Sequence, residues 1–313
     1  MPTSLKSRLP RIAFRDLHGI VLLVKPLGLS SNQALQAVRR LLRAAKGGHT
    51  GALDPLATGL LPLCFGEATK LAGSLLGARK AYVAECRLGI TTDTADREGE
   101  IVQQRAVPVL DEAIIEAALA PLRGRIWQVP PIYSALKRDG ERLYAKARRG
   151  EHVEVPPREV EVHRLDLLGR SVDTLQLQVE CGSGTYVRSL AVDLGERLGC
   201  GAHLTALRRL WVEPFREPAM LTLDQLQQAA GQGDEALLAC LLPVAAGLAD
   251  LPALRLDDAQ SVAISRGQPI VLAGSSGSGR CAAYAGDGAL LALLELDGQG
   301  RARILRGFNL PPA

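Results

Sequence analysis

Residues 48–63 read Gly-His-Thr-Gly-Ala-Leu-Asp-Pro-Leu-Ala-Thr-Gly-Leu-Leu-Pro-Leu, and two side chains in that run, His49 and Asp54, carry ionisable groups. A lone carboxylate among small residues can act as a nucleophile or as a general base. Pro55 fixes its own φ and pushes Asp54 toward an extended backbone, which stiffens the loop. Gly48, Gly51 and Gly59 permit positive φ or a close backbone approach. An Asp-Pro pair alone is equally at home in an ordinary turn, so its surroundings must decide. A hydrolase with an Asp nucleophile needs a second acid or a metal. The six cysteines (64, 86, 181, 200, 240, 281) are scattered. They form no C-x-x-C, and no Cys/His cluster has zinc spacing.

Other groups add to this. Tyr82 falls on the apolar side of an alternating stretch, 80–88, where Ala84, Cys86 and Leu88 share its parity. Arg188 follows Gly182-Ser183-Gly184-Thr185-Tyr186-Val187 at the start of a predicted helix. A cation is awkward there by the helix dipole, which favours a specific partner. Residues 137–149 hold Lys137, Arg138, Arg142, Lys146, Arg148 and Arg149 against Asp139 and Glu141, a local net charge of +4. The whole chain is also +4, so placement rather than total charge points to phosphate binding. An aromatic content of 4% argues against a platform for stacking single strands. Recognition of folded RNA by shape fits better.

Taken in order along the chain, these fragments resemble one family. Leu23-Val24-Lys25-Pro26 with Gly28 and Ser31 is similar to its first motif, and the Asp54 loop to its catalytic motif. Lys80-Ala81-Tyr82, the run Val129-Pro130-Pro131-Ile132-Tyr133-Ser134-Ala135-Leu136-Lys137, the Arg188 motif, Gly199-Cys200-Gly201-Ala202-His203-Leu204 and Leu207-Arg208-Arg209 complete the set. The chain thereby resembles the TruB family, bacterial tRNA pseudouridine synthases that convert uridine 55 of the T-loop. The resemblance implies a bent mixed β-sheet with a central cleft. It implies an isomerisation without redox change or group transfer, hence no cofactor and no metal.

It also implies roles. Asp54 acts at C1′ or C2′ of the target, by attack or by proton abstraction; both routes stay open. Arg188 pairs with Asp54 and keeps it charged against desolvation. Tyr82 stacks on the base and assists proton transfer at C5. Tyr186 and Leu207 wall the pocket, and Lys25 supports its floor. The target uridine is stacked in folded RNA and must be flipped out; His49 then fills the vacated space. Lys137, Arg142, Lys146, Arg148 and Arg149 contact phosphates from a mobile lobe at about 130–158.

Residue patterns supply the frame that must position these groups. Residues 20–24, 60–65, 80–88 and 175–181 read as strands. Ser30 to Gln33 fits a capping box, with Leu35, Val38, Leu41 and Leu42 at helical spacing behind it. Gly47-Gly48 is expected to stop that helix. Residues 68–76, 112–122 and 187–198 read as helices, and 91–100 as a solvated acidic hairpin end. Helices and strands interleave without a regular βαβ repeat, so the fold class is α+β with a mixed sheet. A disordered tail is expected at 1–14, a catalytic domain at 15–222 and a helical linker at 223–250. Residues 251–313, with glycine-marked turns, read as a small β-barrel, PUA-like by resemblance.

A hydrophobic content of 47% supports real cores. No apolar run approaches the ~18 residues of a membrane span, and the first fifteen residues lack a signal-peptide core. The reading is a cytoplasmic monomer acting on the T-arm of tRNA without an obligate protein partner. Two other readings stand beside it: an RNA-binding tRNA-folding chaperone, and an RNA-guided relative working in a particle. Intact Asp54, Tyr82 and Arg188 speak against the first. The lack of long basic extensions speaks against the second.

Overall fold

The computed structural model describes residues 13–311, except 135, 139–140, 143–148, 150, 152 and 273–276. The tail expected at 1–14 therefore lies almost wholly outside the described residues. Phe14, at its end, packs under the Arg39 guanidinium at 4.9 Å.

The chain opens with β1 (Gly19–Lys25), whose unbroken apolar run is buried on both faces. α1 (Ser31–Leu42) follows, started by the Ser30/Gln33 capping box. It ends at Arg43, which adopts a left-handed φ of 53°, rather than at Gly47. The early stop frees 47–49 to form β2 (Gly47–His49), which pairs with the far end of β3 (Ala57–Phe65). A 3₁₀ turn leads into α2 (Ala72–Leu76), then β4 (Lys80–Leu88). β5 (Ile90–Thr92) and β6 (Ile101–Gln104) make the hairpin that carries the acidic turn. α3 (Glu112–Leu119) is capped by Asp111 and leads to β7 (Gly124–Gln128). β8 (Lys137–Arg138) and β9 (Glu141–Arg142) form a small hairpin in the basic segment. β10 (Arg158–Arg170) and β11 (Thr174–Cys181) are long antiparallel partners. α4 (Val187–Arg197) and β12 (Ala202–Val212) complete the frame.

These strands form one eight-stranded mixed sheet in the order β1-β3-β12-β4-β11-β10-β7, with β2 hanging on β3. The one parallel pair on that path is β3 with β12, in register Leu207↔Ala57 to Arg209↔Gly59. It lies second and third from the β1 edge of that path and follows directly on the Asp54 loop. Gly59 sits there at φ 91°, and a Cβ would strike the Arg209 backbone at 2.1 Å. Only glycine permits that crossing. The α+β mixed sheet expected from the sequence is thus present.

Residues 223–250 behave differently from the expected connector. α5 (Leu223–Gln232) and α6 (Asp234–Leu238) bury Leu226 and Leu237 in the same core as α1 and β4. Backbone bonds tie Leu221 to Leu22 and Leu242 to Ile20. The helices cover β1, a role that an Ala/Leu/Gln-rich composition does not distinguish from a linker.

The C-terminal unit comprises β13 (Ala253–Arg255), α7 (Asp258–Ser265), β14 (Ile270–Val271), β15 (Ser278–Tyr284), β16 (Leu290–Asp297) and β17 (Arg301–Gly307). Its five strands, ordered β13-β15-β16-β17-β14, curl into a half-barrel. One face packs around Ile264 of α7 with Cys281, Ala292 and Leu294. The other places Ala282, Leu290, Leu293 and Phe308 against Ile20, Leu22 and Leu60 of the catalytic sheet and Leu71 of the 3₁₀ turn after β3. Lys70 donates to the Gly307 carbonyl at 2.8 Å, and Asn309 N–H donates to Glu67 at 2.7 Å. The two units therefore share a core.

Burying four large apolar side chains across that seam contributes several kcal/mol at about 1.5–3 kcal/mol each. A chain ending at residue 250 is expected to melt several degrees below the full-length protein and to expose apolar surface to a hydrophobic dye. Equal melting temperatures would show that the seam adds nothing.

Candidate active site

Asp54 stands in a turn closed by Ala57 N–H donating to its carbonyl at 3.0 Å, with Pro55 at the second position. Two elements hold that turn. Ser31, at the head of α1, accepts from Leu53 N–H at 2.7 Å and lies 3.1 Å from the Leu53 carbonyl. The fully buried Lys25 reaches across from the end of β1. Its Nζ donates to the carbonyls of Pro26 at 2.9 Å, of Leu29 at 2.5 Å and of Pro55 at 3.4 Å. Burial brings Lys25 down to about 8, against the pull of Asp54. Lys25 is not among the residues that line the cleft beside Asp54.

The carboxylate opens into a cleft of about 740 Å³, lined among others by His49, Thr94, Asp96, Glu98, Tyr133, Ser134 and Arg188. The Asp54 side chain is 41% exposed to it, whereas Arg188 is 4% exposed. Arg188 Nη2 meets Asp54 Oδ2 at 3.0 Å and donates to the Tyr133 carbonyl at 2.8 Å. Its Nη1 donates to the Thr94 carbonyl at 2.9 Å and faces Asp96 Oδ2 at 3.3 Å. One guanidinium therefore gathers three segments: the Asp54 loop, the β5–β6 hairpin and the strip after β7.

Burial pushes the Asp54 carboxyl above its ordinary value. Arg188 opposes this, Asp96 adds to it by like charge, and Lys25 opposes it. The net direction is upward, so Asp54 is a better proton acceptor than a surface aspartate once ionised. Arg188 opposes desolvation by favouring the charged form.

Asp96 is the residue that the sequence reading left as part of a solvated turn. It is buried. Its Oδ1 accepts from Thr94 Oγ1 at 2.7 Å and from Glu98 N–H at 3.0 Å. The hairpin end docks on β12 through Arg97 N–H to the Leu204 carbonyl and Leu204 N–H to the Ala95 carbonyl. Ala95 takes a φ of 61°, a conformation that costs a non-glycine residue about 1 kcal/mol. A local sequence pattern does not reveal a partner ninety-two positions away.

The start of α4 is fixed by β7. Gln128 donates to the Tyr186 carbonyl at 3.0 Å and accepts from Tyr186 N–H at 2.7 Å, and Ser189 donates to the Val129 carbonyl at 2.8 Å. These bonds set where Arg188 begins. Tyr186 itself packs against the Arg158 guanidinium at 5.0 Å.

Tyr82 sits centrally on β4, opposite Val179 on β11 and Arg209 on β12. Burial pushes its hydroxyl up to about 12, with Arg209 pulling the other way. It is therefore a neutral donor at physiological pH. Arg209 is itself buried, donating from Nε to the Leu60 carbonyl at 2.7 Å and from Nη2 to the Gly51 carbonyl at 3.3 Å. It locks the Gly51 turn, at φ 112°, onto the sheet. The sequence reading quoted Arg209 without a task for it. Leu207 pairs with Ala57 and Ala84 beside it. Tyr82, Tyr186 and Leu207 do not line the cleft as it stands, whereas His49 does.

The phosphate-contact residues are only partly described. Lys146 and Arg148 lie outside the described residues, and only the backbone of Lys137 and Arg142 is described. Arg149 makes ion pairs with Glu141 at 2.6 Å and Glu151 at 2.8 Å. Among the described residues no cluster of His, Cys, Asp or Glu has metal-holding geometry. No described helix is long and apolar enough to cross a membrane.

The eight-stranded mixed sheet with its attached half-barrel is a fold of the pseudouridine synthase type. Comparison with known proteins agrees. The profile of the TruB family pseudouridylate synthase (N terminal domain) matches residues 39–187. That of the tRNA pseudouridylate synthase B C-terminal domain matches 188–249. A protein of Xanthomonas axonopodis pv. citri named tRNA pseudouridine synthase B is 58% identical over 97% of this chain and 99% of its own. One of the same name from Xylella fastidiosa is 58% identical over 96% and 99%. Among solved structures, a Cbf5-Nop10-Gar1 complex matches with a TM-score of 0.70 at 26% identity, over 91% of this chain and 78% of that one. An H/ACA RNP bound to a substrate RNA shares the fold at a TM-score of 0.73, 22% identity, and 93% and 85% coverage. The chain belongs to the TruB family of pseudouridylate synthases.

Asp96→Asn keeps the shape but removes the second negative charge on Arg188. The guanidinium then loses an anchor that fixes its angle toward Asp54. Turnover is expected to fall about tenfold or more, with RNA affinity changed less than threefold. Saturating single-turnover assays beside filter binding check this. Undiminished turnover would make Asp96 a bystander.

Proposed function

We propose that this chain isomerises uridine 55 in the T-loop of tRNA to pseudouridine, without metal or cofactor. The observation that carries the reading is the Asp54–Arg188 pair, a half-exposed carboxylate held at 3.0 Å by a buried arginine. Cutting the C1′–N1 bond and rejoining the base through C5 needs one ionised carboxylate at the sugar and one proton shuttle. Asp54 supplies the first, by attack at C1′ or by proton abstraction at C2′. Tyr82, neutral and next to the Asp54 site, supplies a hydroxyl for the second. Its ring, the ring of Tyr186 and the Leu207 side chain meet the base once the uridine is flipped in. His49, on the cleft wall, takes the space the base leaves in the RNA.

The basic segment after β7 supplies phosphate contacts from Lys137, Arg142, Lys146 and Arg148; Arg149 joins them when it exchanges Glu141 for RNA. The C-terminal half-barrel, PUA-like in its curl, extends the contact toward the rest of the tRNA. The protein works as a cytoplasmic monomer.

The test is incubation with an unmodified tRNA transcript in excess EDTA, followed by mapping of pseudouridine. Conversion at position 55 alone is expected. Asp54→Asn is expected to abolish turnover while leaving tRNA binding within about tenfold, since phosphate contacts persist. Turnover of a few per cent in Asp54→Asn would remove Asp54 from the chemistry.

A further inference from the structure

We infer that the Ser134 hydroxyl is a substrate-binding group, hydrogen-bonding the flipped uridine in the Asp54 cleft. The inference rests on the pseudouridine synthase reading and goes beyond it by adding a contact on the nucleoside.

Ser134 lines the same cleft as Asp54 and Arg188. It is 4% exposed. Its Oγ nevertheless has no hydrogen-bond partner among the described residues. A buried hydroxyl left unsatisfied is destabilising, so a folded protein retains one for a reason. The neighbouring side chains show that this strip is not loosely placed. Tyr133 offers its carbonyl to the Arg188 Nη2 that also holds Asp54, at 2.8 Å and 3.0 Å. Ser134 N–H donates to the Ile132 carbonyl at 2.9 Å, which bends the strip tightly. The hydroxyl is therefore one residue from an atom bonded to the same nitrogen as the reacting carboxylate. Any nucleoside whose C1′ reaches Asp54 brings ribose hydroxyls and the polar edge of uracil into this cleft. A serine hydroxyl can donate to a carbonyl or accept from an N–H or O–H, so either the ribose 2′-OH or the uracil edge satisfies it.

The test is Ser134→Ala in the full-length protein. Three measurements are taken beside wild type: thermal melting without RNA, kcat and KM on a T-arm hairpin, and affinity for that hairpin. Affinity is also taken for hairpins carrying 2′-deoxyuridine or an abasic site at the target. Removing an orphaned hydroxyl leaves the apo melting temperature unchanged or higher. kcat/KM falls about tenfold. If the partner is the 2′-OH, the wild-type preference for uridine over 2′-deoxyuridine shrinks in the variant. If it is uracil, the preference for uridine over the abasic hairpin shrinks. Ser134→Thr, which keeps the hydroxyl, recovers part of the loss.

Two outcomes overturn the inference. One is kcat/KM within twofold of wild type with both preferences intact. The other is a lowered apo melting temperature with unchanged preferences, which makes Ser134 a packing residue. Wild type that makes no pseudouridine would instead defeat the functional reading itself.

Discussion

A guanidinium removed from water must be met by acceptors, and that requirement organises this active site. Arg188 meets it at both terminal nitrogens with two carboxylates and two backbone carbonyls drawn from three separate segments, while its Nε has no partner among the described residues. Breaking such a buried arrangement by deleting one partner typically costs about 3–5 kcal/mol. The segments are therefore not free to wander. The Asp54 turn, the β5–β6 hairpin and the strip after β7 are held in register by one side chain. The planar fork suits this task because its N–H groups diverge in fixed directions. Each supporting element then has a physical purpose: Gln128 sets the start of α4, Lys25 and Ser31 pin the Asp54 turn, and Arg209 ties the Gly51 turn to the sheet.

The same clamp reconciles two demands on Asp54. A group that must react with a sugar has to sit in a partly dry cleft, where burial raises its pKa. It must also be ionised to act. Arg188 and Lys25 oppose that rise and Asp96 adds to it, so the carboxyl stays above its ordinary value. Because Arg188 divides its charge between Asp54 and Asp96, Asp54 is not pinned into an inert, fully neutralised pair. It stays basic enough to take a proton and exposed enough to reach a ligand.

Much of this was legible in the sequence, because much of it is local. The Ser30 capping box, the alternation through Tyr82 and the stiff Asp54-Pro55 turn are all encoded within a few residues. The dipole conflict at Arg188 pointed only to some specific partner, without saying which. What escaped was long-range. Asp96 looks like any polar turn residue until the hairpin docks on β12. Ser134 and Gln128 gain meaning only from what β7 brings beside α4. Leu226 and Leu237 look like connector residues until α5 and α6 fold back over β1. The glycine at 59 was flagged for freedom of φ, but its true constraint is the parallel crossing of β3 by β12. Gly48, flagged with it, has open space around it and no positive φ.

The account stands on the geometry of one side chain, and Arg188→Lys tests it most directly. Lysine keeps the charge but replaces the fork with a single point donor, which cannot span Asp54, Asp96, Thr94 and Tyr133 together. The measurement is the single-turnover rate of pseudouridine formation on a saturating T-arm hairpin. A loss of at least about a hundredfold is predicted, with hairpin affinity largely kept. A rate within about threefold of wild type would show that charge alone suffices, and that the clamp does not set the position of Asp54.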